Sequence, residues 1–119
     1  MPRTQSERRR HDLDAARIGV DHLPAILAIA AESFAEVEPG QAGCHRAVQD
    51  ARLAADIGAR LDEMLVLPGI LEAIDGPVLT LVAFAAIGIY RATQRPGASP
   101  SLARHMADSN LAAAQARLL

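Results

Sequence analysis

The chain has 119 residues, a formal net charge of −2 and hydrophobic residues at 50% of its positions, so it is long enough for one domain with its own core. Two Phe, one Tyr and no Trp count against proteins that bind nucleic acid by base stacking and against an aromatic-lined ligand pocket. The single cysteine excludes an intrachain disulfide and a metal site built on paired cysteines.

The residue types favour an all-α fold. Alanine is the best helix former, and alanine-rich runs such as 25–31 lack the alternation of half-buried strands. We predict a flexible basic arm at 1–15 and a single helical domain at 16–119, in which about four helices form a compact bundle. Residues 1–14 are polar and lack the apolar segment of a secretory signal, so we expect a cytoplasmic protein.

Charge is distributed unevenly along the chain. Residues 1–17 carry five Arg and three acidic residues, and 76–119 carry four Arg and one acidic residue. The middle, 18–75, carries three Arg and ten acidic residues. Basic ends around an acidic middle are consistent with pairing between copies of the chain, or with both ends on the cytoplasmic side of a membrane.

The first predicted helix follows Asp21, whose side chain can cap it, and has Pro24 in its first turn, where the missing N–H does no harm. Apolar residues then recur at spacings of three and four, the pattern of a helix with one buried face: Leu23, Ile26, Leu27, Ala30, Phe34 and Val37. Pro39 and Gly40 end this helix.

A second helix is predicted at about 44–67, with apolar residues on one face and charged residues on the other. Arg52–Asp56 and Asp56–Arg60 form i,i+4 pairs on the polar face. This amphipathic pattern indicates that part of the chain faces water. Pro68 and Gly69 interrupt the helix, and a short apolar turn is predicted at 70–74.

The third predicted helix, at about 77–94, is the most unusual segment of the chain. It begins at Asp75-Gly76-Pro77, a helix-start pattern, and residues 76–90 contain no formal charge. Its apolar residues cover the whole circumference, and a helix that is apolar all round must be surrounded by protein or by lipid. A last, weaker helix is predicted at about 100–118.

The sequence predicts no catalytic residue, metal site or cofactor. His11, His22, His45 and His105 lie on different segments, without the Glu-x-x-His spacing of bundles that bind paired metals. We interpret Glu32 and Glu36 as part of a solvated acidic face, and we interpret Cys44 as a small residue at the start of a helix. Arg8, Arg9 and Arg10 are flanked by acidic residues, so we expect a solvated arm without nucleic-acid binding.

Three hypotheses follow for the function. The first is a non-enzymatic, self-associating helical protein with a structural or adaptor role, whose subunit contacts include Val78, Leu81, Phe84, Ala85, Gly88 and Ile89. The second is a small inner-membrane protein with one or two spans, as in holins, although Glu32 and Glu36 would be costly inside a second span. The third is a helical enzyme or ligand-binding bundle that uses Cys44, His45 and the two glutamates.

Overall fold

A computed structural model of the protein describes residues 4–41, 43–66, 69 and 74–118. Within these residues the chain forms five α-helices and one short 3-10 helix, and no strand. The all-α prediction is therefore confirmed. The helices are α1 (Gln5–Asp21), α2 (Leu23–Val37), α3 (Arg46–Val66), α4 (Gly76–Thr93) and α5 (Leu102–Leu118), with the 3-10 helix at Glu38–Gln41.

The prediction of about four helices is one short, and the missed helix is α1. Thr4 caps it by accepting a hydrogen bond from the Glu7 backbone N–H at 3.2 Å. The outer face of α1 is polar, and only Ala15 and Val20 are buried, so the sequence carries no clear apolar stripe there. α1 crosses the boundary proposed at residue 15, and the flexibility of the arm stays a prediction.

The four predicted helices lie close to their expected positions and correspond to α2, α3, α4 and α5. Those expected at about 44–67 and 77–94 are α3 and α4, so the uncharged segment belongs to the fourth helix instead of the third. The apolar turn predicted at 70–74 falls mostly outside the described residues. Gly97, with φ +81, supplies the left-handed residue of the turn that joins α4 to α5.

A sharp bend of 91° separates α1 from the segment Leu23–Gln41, which consists of α2 and the 3-10 helix. Pro24 explains part of this bend, because proline has no N–H to donate to the carbonyl oxygen of Val20 four residues earlier. That oxygen accepts a hydrogen bond from Nη1 of Arg104 at 3.0 Å. The bend is thereby connected to α5 across the fold.

The main core lies where α2, α3 and α4 meet. Its largest fully buried side chains include Ile26 of α2 and Leu53, Ile57 and Leu61 of α3. α4 contributes smaller residues to the same cluster: Val78, Val82, Ala83, Ala86 and Ile87. A second cluster packs α5 against α1, α2 and α4 through Val20, Leu23, Ile89, Ala103 and Ala107.

We expect Ile57→Ala to lower the free energy of unfolding by about 2–5 kcal/mol, because Ile57 is fully buried and its truncation leaves a cavity. Val48→Ala on the same helix is the control, since Val48 is 47% exposed, and it should change stability by about 0.5 kcal/mol or less. Urea unfolding followed by circular dichroism measures both. Equal effects of the two substitutions would contradict the assignment of this core.

Candidate interaction surface

The outer face of α4 exposes large apolar side chains to solvent. Leu81 is 38% exposed and Phe84 is 46% exposed. Ala85 and Gly88, one turn further along the helix, are also exposed. We call these four residues the α4 stripe; Thr80 and Pro77 extend its exposed face toward the N-terminus, and none of the six carries a charge.

The residues predicted to form subunit contacts divide into two groups in the structure. Leu81, Phe84, Ala85 and Gly88 form the exposed α4 stripe. Val78 and Ile89 are each only 4% exposed and belong to the two core clusters. The division follows from helix geometry, because these two side chains lie on the side of α4 that packs against other helices. A role for the four exposed residues in self-association stays a prediction.

A groove of about 420 Å³ lies beside the stripe, between α4, α1 and α5. Leu81, Phe84 and Ala85 line it from α4. The walls from α1 and α5 consist largely of small residues: Ala15, Ala16, Gly19, Ala107, Ala113 and Ala114. These side chains are too short to fill the space between the helices, which leaves an apolar recess.

Two charged residues line the groove, and they neutralise each other. Nη1 of Arg117 lies 2.6 Å from Oδ2 of Asp12. The pair joins the last helix to the first, across 105 residues of sequence. Asn110 is the uncharged polar residue of the lining. The groove therefore combines apolar walls with a polar part that carries no net charge.

Arg60 on α3 holds three carboxylates that belong to two helices. Its guanidinium pairs with Glu32 at 3.1 Å, with Asp56 at 3.0 Å, and with Glu36. The hydrogen bond to Glu36 is the main cause that raises the pKa of Arg60 above its ordinary value, so the guanidinium stays charged. The buried Ser33 hydroxyl donates to Oδ2 of Asp56 at 2.7 Å. Glu32 and Glu36, expected to be merely solvated, thus connect α2 to α3.

A second polar contact secures the C-terminal end of α4. Nη1 of Arg91 lies 2.7 Å from Oδ1 of Asp50 on α3, an oxygen that is buried. The same guanidinium lies 5.5 Å from the centre of the Phe34 ring on α2. Phe34 stacks on Tyr90 with ring centres 4.6 Å apart. Sequence spacing gave no signal for these contacts, which link residues far apart in the chain.

The structure does not gather the histidines and Cys44 into a site. Nε2 of His11 lies 2.9 Å from Oδ2 of Asp75, and Nδ1 of His45 accepts from the Ala47 backbone N–H at 3.2 Å. Cys44 is exposed. Among the described residues, no group of three His, Cys, Asp or Glu side chains is arranged to bind a metal ion.

Comparison of the chain with known protein families, with curated proteins and with solved structures found no match.

We expect Arg60→Met to lower the melting temperature more than Arg60→Lys, because lysine keeps the charge but cannot donate to three carboxylates in fixed directions. Without the cation, Glu32, Glu36 and Asp56 repel one another across the contact between α2 and α3. About 0.5 M NaCl should reduce the difference from wild type by screening this repulsion.

Arg46→Met is the matched control, since Arg46 is an exposed arginine at the start of the same helix. Differential scanning fluorimetry at low and high salt measures all four proteins. A melting temperature of Arg60→Met equal to that of Arg46→Met at low salt would show that the cluster does not stabilise the fold.

Proposed function

We propose that this protein is a small, non-enzymatic helical protein that self-associates through the α4 stripe and has a structural or adaptor role in the cytoplasm. The observation that carries the proposal is the exposure of Leu81 and Phe84 on a helix face without any charge. A contiguous exposed apolar surface of this kind is typical of an interaction site.

The contrast with α1 supports this interpretation. Exposed positions of α1 are largely polar or charged, including Glu7, Arg8, Arg10, Asp14 and Arg17. That composition is expected for a helix face in contact with water. The exposed positions of α4 from Gly76 to Gly88 hold Gly, Pro, Thr, Leu, Phe and Ala. The two helices belong to the same bundle, so the difference points to a partner over α4.

The free energy that burial of the α4 stripe can contribute shows how large the interface must be. Full burial of a Leu or Phe side chain is worth about 1.5–3 kcal/mol, and both side chains here are already partly covered, so each gains roughly 1 kcal/mol. Association costs about 4 kcal/mol or more in lost freedom of motion. The contact must therefore extend beyond α4, and the adjoining groove offers further apolar surface from α1 and α5, including Ala16, Gly19 and Ala113.

Gly88 gives a second argument for close approach of another molecule. It lies inside an exposed helix face, where glycine costs about 1 kcal/mol relative to alanine. A Cβ atom added at Gly88 would meet no atom within 4 Å, so packing within the chain does not require glycine here. A partner helix lying directly against the α4 backbone would require it.

Membrane insertion is the alternative, and α4 is its candidate span. Gly76–Thr93 is long and apolar enough to cross a bilayer, with 39% of the segment buried within the chain. Insertion of α4 alone would expose Ile57 and Leu61 and would break the Arg91–Asp50 and Phe34–Tyr90 contacts. These costs favour a protein partner. The third hypothesis, a ligand-binding bundle, has the groove beside the stripe as its candidate site.

We expect Ala85→Arg to convert the self-associated protein to monomer, because a charge in the centre of an apolar interface must be desolvated without a partner. The fold should persist, since Ala85 is exposed in the single chain. Light scattering after size-exclusion chromatography measures the mass. Ala55→Arg, at an exposed position of α3, is the control and should keep the wild-type mass.

A monomeric wild type at all accessible concentrations would contradict the proposal. Retention of the wild type in membranes after an alkaline carbonate wash would establish the membrane alternative in its place. The proposal predicts release into the soluble fraction.

We expect Gly88→Ala to separate stability from association. It should raise the free energy of unfolding of the monomer by about 0.5–1 kcal/mol through helix propensity, measured in the Ala85→Arg background. In the wild-type background it should weaken self-association, because the added methyl group holds the partner away. Tighter association of Gly88→Ala would show that no close helix contact forms at this position.

A further inference from the structure

We propose that the groove between α4, α1 and α5 binds an amphipathic monocarboxylate, with its aliphatic tail along the apolar walls and its carboxylate on Arg117. This inference goes beyond the proposed self-association, because one copy of the chain supplies every residue that lines the groove. It assigns Arg117 as the residue that binds the acidic end of the ligand.

The first argument is the change in polarity along the groove. Its charged lining residues, Asp12 and Arg117, form an ion pair between α1 and α5. These helices run antiparallel, because Arg104, earlier on α5, donates to the carbonyl oxygen of Val20, later on α1. Away from the ion pair the lining is apolar and belongs to the second core cluster: Leu23, Ile89 and Ala107. A ligand with one charged end and one apolar end matches this arrangement.

The second argument is the set of hydrogen-bond donors that Arg117 keeps available. Its Nη1 atom lies 2.6 Å from Oδ2 of Asp12. Among the described residues, Nε and Nη2 of Arg117 have no hydrogen-bond partner. A guanidinium has five N–H donors, and one edge of it can donate to both oxygens of a carboxylate. The contact with Asp12 therefore keeps Arg117 beside the groove and leaves donors for a ligand.

The third argument is the charge just beyond the lining, which favours an anion over a cation. Arg8 precedes Asp12 by four residues, so it projects within about 40° of Asp12, one turn nearer to the N-terminus of α1. Neither Arg8 nor Arg9 forms an ion pair with another described residue. Glu7, the acidic residue of the same turn, projects about 140° away from Asp12. Because Arg117 already neutralises Asp12, this end of the groove has an excess of positive charge.

The volume of the groove fits a ligand of this class. Apolar cavities of about 150 Å³ are large enough to hold benzene, and the groove measures about 420 Å³. Octanoate, with roughly the volume of two benzene molecules, is therefore a suitable probe.

NMR titration of the isotopically labelled protein with octanoate tests the inference. Octanoate should bind saturably and shift the backbone amide signals of Ala16, Gly19 and Ala107, which line the groove. Acetate lacks the tail and octylammonium carries the opposite charge, so each should bind about tenfold more weakly or worse. Equal binding of octanoate and octylammonium would overturn the assignment of an anion site.

Arg117→Met tests the residue that binds the carboxylate, because it removes the cation and keeps an apolar side chain. Octanoate should bind this variant about tenfold more weakly or worse. Octylammonium should become the tighter ligand, because Asp12 loses its partner, and a merely structural role of Arg117 would not reverse this preference. Arg17→Met removes an exposed arginine of α1 that does not line the groove, so it should keep the wild-type dissociation constant.

Ala113→Phe tests the location, because the added ring fills the groove and should abolish binding of octanoate. Ala112→Phe adds the same ring at the neighbouring exposed position, which does not line the groove, and should leave binding unchanged. Circular dichroism should show unchanged helix content, because all of these positions are exposed. Binding of octanoate that survives Ala113→Phe would overturn the groove as its site.

The outcomes for binding and for self-association are separate. A monomeric wild type that binds octanoate would contradict the proposed function and support this inference, whereas an oligomer that does not bind octanoate would do the reverse. Sedimentation with phosphatidylglycerol vesicles distinguishes a lipid surface from a free carboxylate. Binding to the vesicles without binding of octanoate would overturn the groove as a site for a small molecule.

Discussion

The packing of α4 is the constraint on which the rest of the structure depends. This helix contacts each of the other four helices, and its inner face supplies Val82, Ala83, Ala86 and Ile87 to the main core. Four helices nevertheless leave part of its circumference uncovered, because α1 and α5 pack mainly against each other and meet α4 along a groove. The uncharged segment is therefore buried on one side and exposed on the other.

Polar contacts between helices help to fix their relative positions in a core that contains many alanines beside its Ile and Leu side chains. Arg60 connects α2 to α3, Arg91 connects α4 to α3, and Arg104 connects α5 to the bend before α2. Each of these arginines reaches a partner on another helix, which fixes relative positions that alanine contacts alone would leave weakly specified. Individually, such partly exposed pairs contribute little to stability, so their value here lies in orientation.

Self-association would also explain the distribution of residue types on the surface. Phe84 and Leu81 are 46% and 38% exposed, although large apolar side chains gain free energy by leaving water. Ala85 and Gly88 have a small side chain or none, so another molecule could lie close to the backbone of α4 at these positions. A role in assembly would use both features.

The sequence by itself determined the helical class, the limits of α3 and α4 to within about two residues, and the unusual character of 76–90. These properties depend on the helix propensity of the residues, on the spacing of apolar residues, and on proline and glycine residues that begin or end helices. All three can be recognised in the sequence alone. It did not reveal α1, whose polar composition lacks a strong stripe. It also placed Val78 and Ile89 in the same predicted interface as Phe84.

Only the tertiary structure decided which side of α4 is covered, because an all-round apolar helix carries no periodicity to distinguish its faces. The groove and the pairs Asp12–Arg117 and Asp50–Arg91 likewise depend on helices brought together from distant parts of the chain. Such contacts depend on how whole helices pack against one another, so they cannot be predicted from the spacing of residues within one helix.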